Sequence, residues 1–160
     1  MIETKRCRLF TVNQEHYQNI QQLYKNHDVR KYLGGIVNDE TFKEVFSQMI
    51  HAPTKSFYWI INEKQLNTFI GLISLDLHHD GESTEISYQF LPNWWHKGYA
   101  TEVVCEILLF GFHTLNLEYI VAETQFANIA SRKLLEKVGM QLKETTERFG
   151  ELQAIYFINK

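Results

Sequence analysis

Apolar residues recur along this chain with two different periods. Between Gly98 and Leu115, Ala100, Val103, Val104, Ile107, Leu108, Gly111, Phe112 and Leu115 follow the i, i+3, i+4, i+7 rhythm, which predicts a helix whose wide apolar stripe packs on a sheet. Glu102, Glu106, His113 and Asn116 fall on its opposite face. A second helix is predicted to open at Asn128, run through Leu134, Leu135 and Val138, and stop at Gly139, where a left-handed cap fits. Ahead of these come a strand at about Cys7 to Val12, helices at His16 to Asn26 and Thr41 to Ile50, and strands at Phe57 to Asn62, Phe69 to Leu77 and Ser83 to Leu91. A strand at Tyr119 to Glu123 separates the two later helices, and two strands end the chain. Hairpins are expected at Glu63 to Thr68 and His79 to Glu82. Helices interspersed with strands and hairpins predict an α/β fold on a mixed sheet.

The junction before the first of the late helices is unusual. Pro92 ends the preceding strand, and the helix then begins without Ser, Thr, Asp or Asn at its cap, because His96, Lys97 and Gly98 occupy those positions. A helix start leaves orphan N–H groups and a partial positive charge. Gly98 permits close backbone approach, Ala100 is small, and Lys97 and Thr101 bring a charge and a hydroxyl, which together make a cradle suited to a diphosphate. An ordinary Gly-containing loop would look the same over so short a motif.

Two longer segments decide between these readings. Glu85-Ile86-Ser87-Tyr88 followed by Trp95-His96-Lys97-Gly98-Tyr99-Ala100-Thr101-Glu102, and Asn128-Ile129-Ala130-Ser131-Arg132-Lys133-Leu134-Leu135-Glu136-Lys137-Val138-Gly139-Met140, resemble the two cofactor motifs of the GNAT N-acetyltransferases, in the same order and one strand apart. The likeness is strongest to the RimJ/RimL-like branch and extends from Thr4-Lys5-Arg6-Cys7-Arg8-Leu9 through Tyr32-Leu33-Gly34 to Ile155-Tyr156. It implies a GNAT-type fold: a central, mostly antiparallel mixed sheet flanked by helices, with two parallel strands splayed apart. Acetyl-CoA is the implied cosubstrate, with pantetheine pairing with the backbone near Gln89, Phe90 and Leu91. Trp95, His96, Lys97, Gly98, Tyr99, Ala100 and Thr101 would hold the diphosphate, and Asn128 and Ser131 would complete the cofactor site.

Acetyl transfer to an amine needs a held cofactor, an uncharged amine, a stabilised oxyanion and a protonated leaving thiol. By resemblance Glu85 falls where many GNAT enzymes carry the glutamate that deprotonates the amine, often through water; a solvated strand-end residue is the competing description. Glu147 is a second carboxylate candidate. Relatives commonly place a tyrosine seven residues after the capping asparagine, and this chain has Leu135 there. Ser131 stands where RimL-like enzymes place a thiol-directed hydroxyl; simple packing is its alternative role. The implied acceptor is a primary amine, either on a small molecule or at a peptide or protein N-terminus of the ribosomal-protein alanine type. Its groove would be formed by the N-terminal helices with Tyr32, Leu33 and Gly34 and lined in part by Trp94 and Trp95, whereas Trp59 fits buried packing. A non-catalytic acyl-CoA-binding regulator is the alternative that the missing tyrosine keeps open. Homodimerisation is suggested only by relatives.

Composition narrows the classes further. With 160 residues, 44% hydrophobic and 22% charged, one domain spanning 1–160 is expected. Lys plus Arg number 16 against 19 Asp plus Glu, an acidic balance that argues against binding nucleic acid through its phosphates. No apolar run follows the charges at the N-terminus and none is long enough to cross a bilayer, so a cytoplasmic protein without membrane contact is expected. Cys7 and Cys105 lack metal-type spacing and are expected to be free and buried. His78 and His79 would face opposite ways on a continuing strand, so no metal site is expected. A dinucleotide-binding domain is disfavoured because Gly-x-Gly-x-x-Gly is absent.

Overall fold

The computed structural model describes residues 1–160. One eight-stranded sheet organises the chain, with β1 (Ile2–Glu3), β2 (Cys7–Thr11), β3 (Phe57–Glu63), β4 (Thr68–Leu77), β5 (Thr84–Phe90), β6 (Tyr119–Gln125), β7 (Gln141–Arg148) and β8 (Glu151–Asn159) in the spatial order 1-2-3-4-5-6-8-7. Every neighbouring pair is antiparallel except β5 and β6. These two run parallel and share a single register pair, Glu85 with Val121. Beyond it they diverge, as the splayed-strand expectation requires.

The helices cover both faces. On one side lie α1 (Tyr17–Tyr24), the single turn α2 (His27–Arg30) and α3 (Asp39–Ile50); on the other lie α4 (Tyr99–His113) and α5 (Ile129–Lys137). Strand alternation distributes apolar side chains to both. Ile73 and Leu75 of β4 and Ile86 and Phe90 of β5 join Val103, Val104, Ile107, Leu108 and Phe112 of α4, whereas Leu72 and Ile60 pack beneath Ile20, Leu23, Phe42 and Phe46. The apolar stripe predicted for α4 is thus its sheet-facing side, with Ala100 and Leu115 at the half-buried ends.

Several boundaries differ from the sequence reading. The first predicted helix, His16 to Asn26, is found as α1; the one-turn 3-10 segment at Gln14–His16 before it and α2 after it were not anticipated, and Asn26 caps α2 by accepting from Val29 N–H. The two-residue β1 was not anticipated, being too short to show alternation. Strand β4 ends at Leu77, so His78 and His79 do not alternate; their rings lie side by side, tilted by 36° with centroids 4.1 Å apart. Both cysteines are free, but only Cys7 is buried, and Cys105 lies on the exposed side of α4. Glu102, assigned to the polar face of α4, is held against Thr4 and Arg6. No helix is long and apolar enough to cross a membrane.

Candidate active site

A cleft of about 1200 Å³ opens where β5 and β6 part, running from the starts of α4 and α5 to the α1–α2 side of the sheet. At its α4 end, Gly98 adopts φ +81° as the cap residue and no side chain bonds the helix start. The first turn's hydrogen bond runs from Glu102 N–H to the Gly98 carbonyl, which leaves the N–H groups of Tyr99, Ala100 and Thr101 ahead of the helical ladder. His96, just before, also has positive φ, +58°. Gly98, Ala100, Thr101, Trp95 and His96 line the cleft. An exposed set of amides at a left-handed turn, with no side chain occupying it, fits a diphosphate.

Two residues assigned to that cradle are engaged elsewhere. Lys97 turns away, its ammonium donating to the Asn93 carbonyl at 2.6 Å, and Tyr99 packs edge-on against Trp94. Neither lines the cleft. Strand β5 requires a similar correction. Leu91 N–H donates to the Ile70 carbonyl, so by the alternation of an antiparallel ladder Leu91 and Gln89 direct their backbones to β4, while Tyr88 and Phe90 direct theirs into the splay. The Phe90 carbonyl accepts from Trp95 Nε1 at 2.7 Å. Gln89 lines the cleft through its side chain, whose buried Oε1 has no partner.

At the α5 end, Asn128 caps the helix, its Oδ1 accepting from Ser131 N–H at 3.2 Å. Ser131 and Asn128 both line the cleft, and Leu135 is buried in the core beneath. A phenol from another element reaches this helix start: Tyr88 Oη lies 2.9 Å from Ser131 Oγ. Burial pushes the Tyr88 phenol up to about 12, with the Ser131 hydrogen bond acting the other way, so at neutral pH it stays protonated.

This architecture can be placed among known proteins. Residues 6–141 match the acetyltransferase (GNAT) domain family. The chain belongs to the GNAT acetyltransferases. It is similar to two uncharacterized N-acetyltransferases of Bacillus subtilis: YoaA, 28% identical over 147 residues covering 88% of this chain and 82% of that protein, and YnaD, 29% identical over 141 residues with the same coverage. Among solved structures, a GNAT acetyltransferase from Bacillus anthracis superposes with TM-score 0.85 at 22% identity, covering 99% of this chain and 97% of that one. A spermidine N-acetyltransferase from Vibrio cholerae, in complex with CoA and spermine, superposes with TM-score 0.82 at 20% identity over 96% of this chain and 95% of that one. The fold is the GNAT fold, and the enzymes of this family use acetyl-CoA.

On the far side of the GNAT splay, two carboxylates meet. Burial above all raises Glu85 to about 7; the charge of His78 opposes this and the Glu123 carboxylate adds to it. Glu85 itself does not line the cleft, but Ser87 and Glu123 on either side of it do. The Glu123 carboxylate is only 7% exposed, with His79 Nε2 at 3.0 Å from Oε2 and His78 Nε2 at 3.8 Å from Oε1. Arg148 Nη2 stands 3.2 Å from Oε1, close enough for attraction although not aligned as a hydrogen bond. Glu147 is exposed and pairs with Leu152, one position out of step with Arg148 and therefore on the opposite sheet face from Glu123. Tyr32, Leu33, Trp94 and Trp95 line the cleft as expected; Trp59 is in the core. Glu123, Tyr88 and Arg148 were not among the sequence candidates. An acid directly after the apolar run Tyr119–Ala122 of β6 was the one signal for Glu123.

Proposed function

We propose that this GNAT enzyme, a single domain over residues 1–160, moves an acetyl group from acetyl-CoA to a primary amine, with Glu85 as the base and Ser131 beside the leaving sulfur. The observation that carries the reading is the uncapped α4 start opening onto a cleft whose wall holds Glu123, with the buried Glu85 carboxyl behind that wall. When bound, acetyl-CoA supplies the activated thioester. The chain's own residues do the rest. The Tyr99, Ala100 and Thr101 amides hold the diphosphate end, and the Tyr88 backbone with the Phe90 N–H takes the place of a β5–β6 ladder, the Phe90 carbonyl being held by Trp95.

The amine enters from the α1–α2 side, where the Asp28 and Glu123 carboxylates line the cleft beside Lys31 and offer acceptors to an amine. Deprotonation then falls to Glu85, reached through water or through Glu123, because the Glu85 side chain lies behind the cleft wall. A carboxyl near neutrality suits proton abstraction at physiological pH. An N-terminal amine, with pKa roughly 7.7 to 8.0, demands less of this base than a lysine amine at roughly 10.4. Ser131, with Tyr88 Oη at hydrogen-bond distance, offers its hydroxyl to the leaving sulfur. Tyr88 also answers the absence of tyrosine at position 135, which had favoured a non-catalytic acyl-CoA binder.

The RimJ/RimL-like likeness supports a protein or peptide N-terminal amine as acceptor, in a cytoplasmic setting. The Vibrio cholerae neighbour, a spermidine N-acetyltransferase, supports a polyamine. Thiol release from acetyl-CoA, measured with peptides bearing Ala or Ser N-termini, spermidine and an aminoglycoside, separates these acceptors. Acceleration by at least one amine, lost in Glu85→Gln, is the expected result. Coenzyme A binding with no amine-dependent thiol release would overturn the transferase reading.

A further inference from the structure

The segment Thr4-Lys5-Arg6 precedes β2 and has no task in acetyl transfer, yet it is fastened to the start of α4. Arg6 Nε donates to Glu102 Oε2 at 2.7 Å, the Arg6 backbone N–H donates to Glu102 Oε1 at 2.7 Å, and the Thr4 hydroxyl donates to the same oxygen at 2.5 Å. Arg6 Nη1 donates to the Lys97 carbonyl at 2.9 Å. The guanidinium carbon sits 4.0 Å from the centroid of the Tyr99 ring, and Nη2 is 3.3 Å from where a Cβ on Gly98 would stand. One planar cation therefore reaches from a carboxylate in the first turn of α4 to the peptide that shapes the diphosphate turn.

The electrostatics explain why such a cation is needed. A carboxylate in a first turn favours the helix, but it also repels any anion that docks at the same helix end. Glu102 is ionised: burial alone would raise its pKa, and the hydrogen bonds from Thr4 and Arg6 outweigh that and lower it. Its charge lies one helical turn from the cradle amides, within the screening length of about 8–10 Å. Lys97, the cation nearest in sequence, is turned to Asn93, so compensation of Glu102 comes from Arg6, 96 positions away.

We propose that Arg6 is a positioning residue of the cofactor loop, which holds the Lys97–Gly98 peptide in its left-handed turn and cancels the Glu102 charge where the diphosphate docks. This rests on the reading of the α4 start as the coenzyme A site. Because Arg6 acts through Glu102 and the Lys97 carbonyl, its effect is on affinity for the dianion, more than on the chemical step.

Calorimetric titration of coenzyme A into the full-length protein, for wild type, R6Q, E102Q, R6K and R6Q/E102Q at low and moderate salt, tests this without turnover. R6Q is expected to weaken binding about tenfold, the size of effect that one uncompensated charge near a dianion produces close to a protein surface, and the loss is expected to shrink as salt rises. E102Q should bind at least as tightly as wild type, R6K should keep the charge term but lose part of the affinity because it cannot reach Glu102 and the Lys97 carbonyl together, and R6Q/E102Q should bind more tightly than R6Q but more weakly than wild type, because the contact with the Lys97 carbonyl is still missing. A double variant as weak as R6Q, or an E102Q that binds more weakly than wild type, overturns charge compensation. If R6Q does not fold, E102Q and R6K still decide the matter. Failure of the wild type itself to bind coenzyme A would remove the diphosphate reading, a result distinct from either.

Discussion

Replacing Glu85 by Gln should stabilise the folded protein while impairing it as a catalyst, and the stabilisation should depend on pH. In the folded chain burial lifts Glu85 from its ordinary 4.5 to about 7. The native state therefore binds this proton more tightly than the unfolded state does, and between those two values the native protein carries a proton that the unfolded chain has lost. Stability from this group must fall as pH rises through that window; the difference vanishes below about 4.5 and is complete above about 7. At 1.36 kcal/mol per pH unit the whole interval amounts to at most about 3 kcal/mol. Partial relaxation around a strand-end carboxylate brings this to about 1–3 kcal/mol. Glutamine matches the volume of Glu85 and removes the charge. Thermal unfolding at about pH 8.5 should show Glu85→Gln melting higher than wild type by about 2–12 °C, at roughly 2–4 °C per kcal/mol for a chain of this size, with a gain less than half as large at about pH 5.5. Glu123→Gln removes a like charge from the pair, so in that background the pH dependence should shrink. An equal shift at both pH values, or a destabilisation growing with pH, would refute the assignment of a neutral-pH proton to this site.

Ser131→Ala leaves the Tyr88 hydroxyl without its partner, so it should cost about 1–2 kcal/mol by denaturant unfolding and lower kcat at least about tenfold. Unchanged kcat in Ser131→Ala would confine that hydroxyl to packing. Gly98→Ala forces a side chain onto φ +81°, at about 1–2 kcal/mol, and should weaken coenzyme A binding measurably by calorimetry, whereas unaltered affinity would remove the turn from the site. Cys7 is fully buried, and its thiol is pushed up to about 11 chiefly by burial, while Cys105 is exposed; Ellman titration of the native protein near pH 8 should therefore count one rapidly reacting thiol, and two would contradict the placement of β2.

The parts of this fold that could be read from the chain are those governed by local rules. The α4 stripe obeys a single period, Asn128 caps with its own side chain, and Gly139 takes φ +95° just beyond α5, so each is fixed by neighbours a few residues away. The resemblance to known enzymes added what local rules do not contain, the parallel pairing of β5 with β6. What stayed hidden depends on contacts between distant segments. Nothing near Lys97 in the sequence says that its ammonium will fold back on Asn93, or that Arg6 will occupy the space above Tyr99. Tyr88 was part of a recognised motif, but its partnership with Ser131 spans 43 positions and needs the splay to exist first.

The same reasoning explains why the acid–base side was the harder half to read. A diphosphate site is made of backbone, and backbone geometry follows from one glycine and the lack of a cap. A proton-transfer site is made of pKa values, and those are set by burial and by which charges end up adjacent. Glu85 looked ambiguous because an isolated glutamate at a strand end is indistinguishable from a solvated one; its elevation arises from burial and from Glu123, contributed by a strand that meets β5 at a single register pair. The divergence of β5 and β6 therefore does two things with one distortion. Toward the strand ends it opens the edge along which the cofactor is proposed to lie, and beside the shared pair it buries Glu85 within reach of the Glu123 charge, which together raise the Glu85 carboxyl. A substitution that zipped β5 and β6 together would remove the cleft and the perturbed carboxyl at once, whereas Glu85→Gln removes only the second, and coenzyme A affinity should distinguish the two cases.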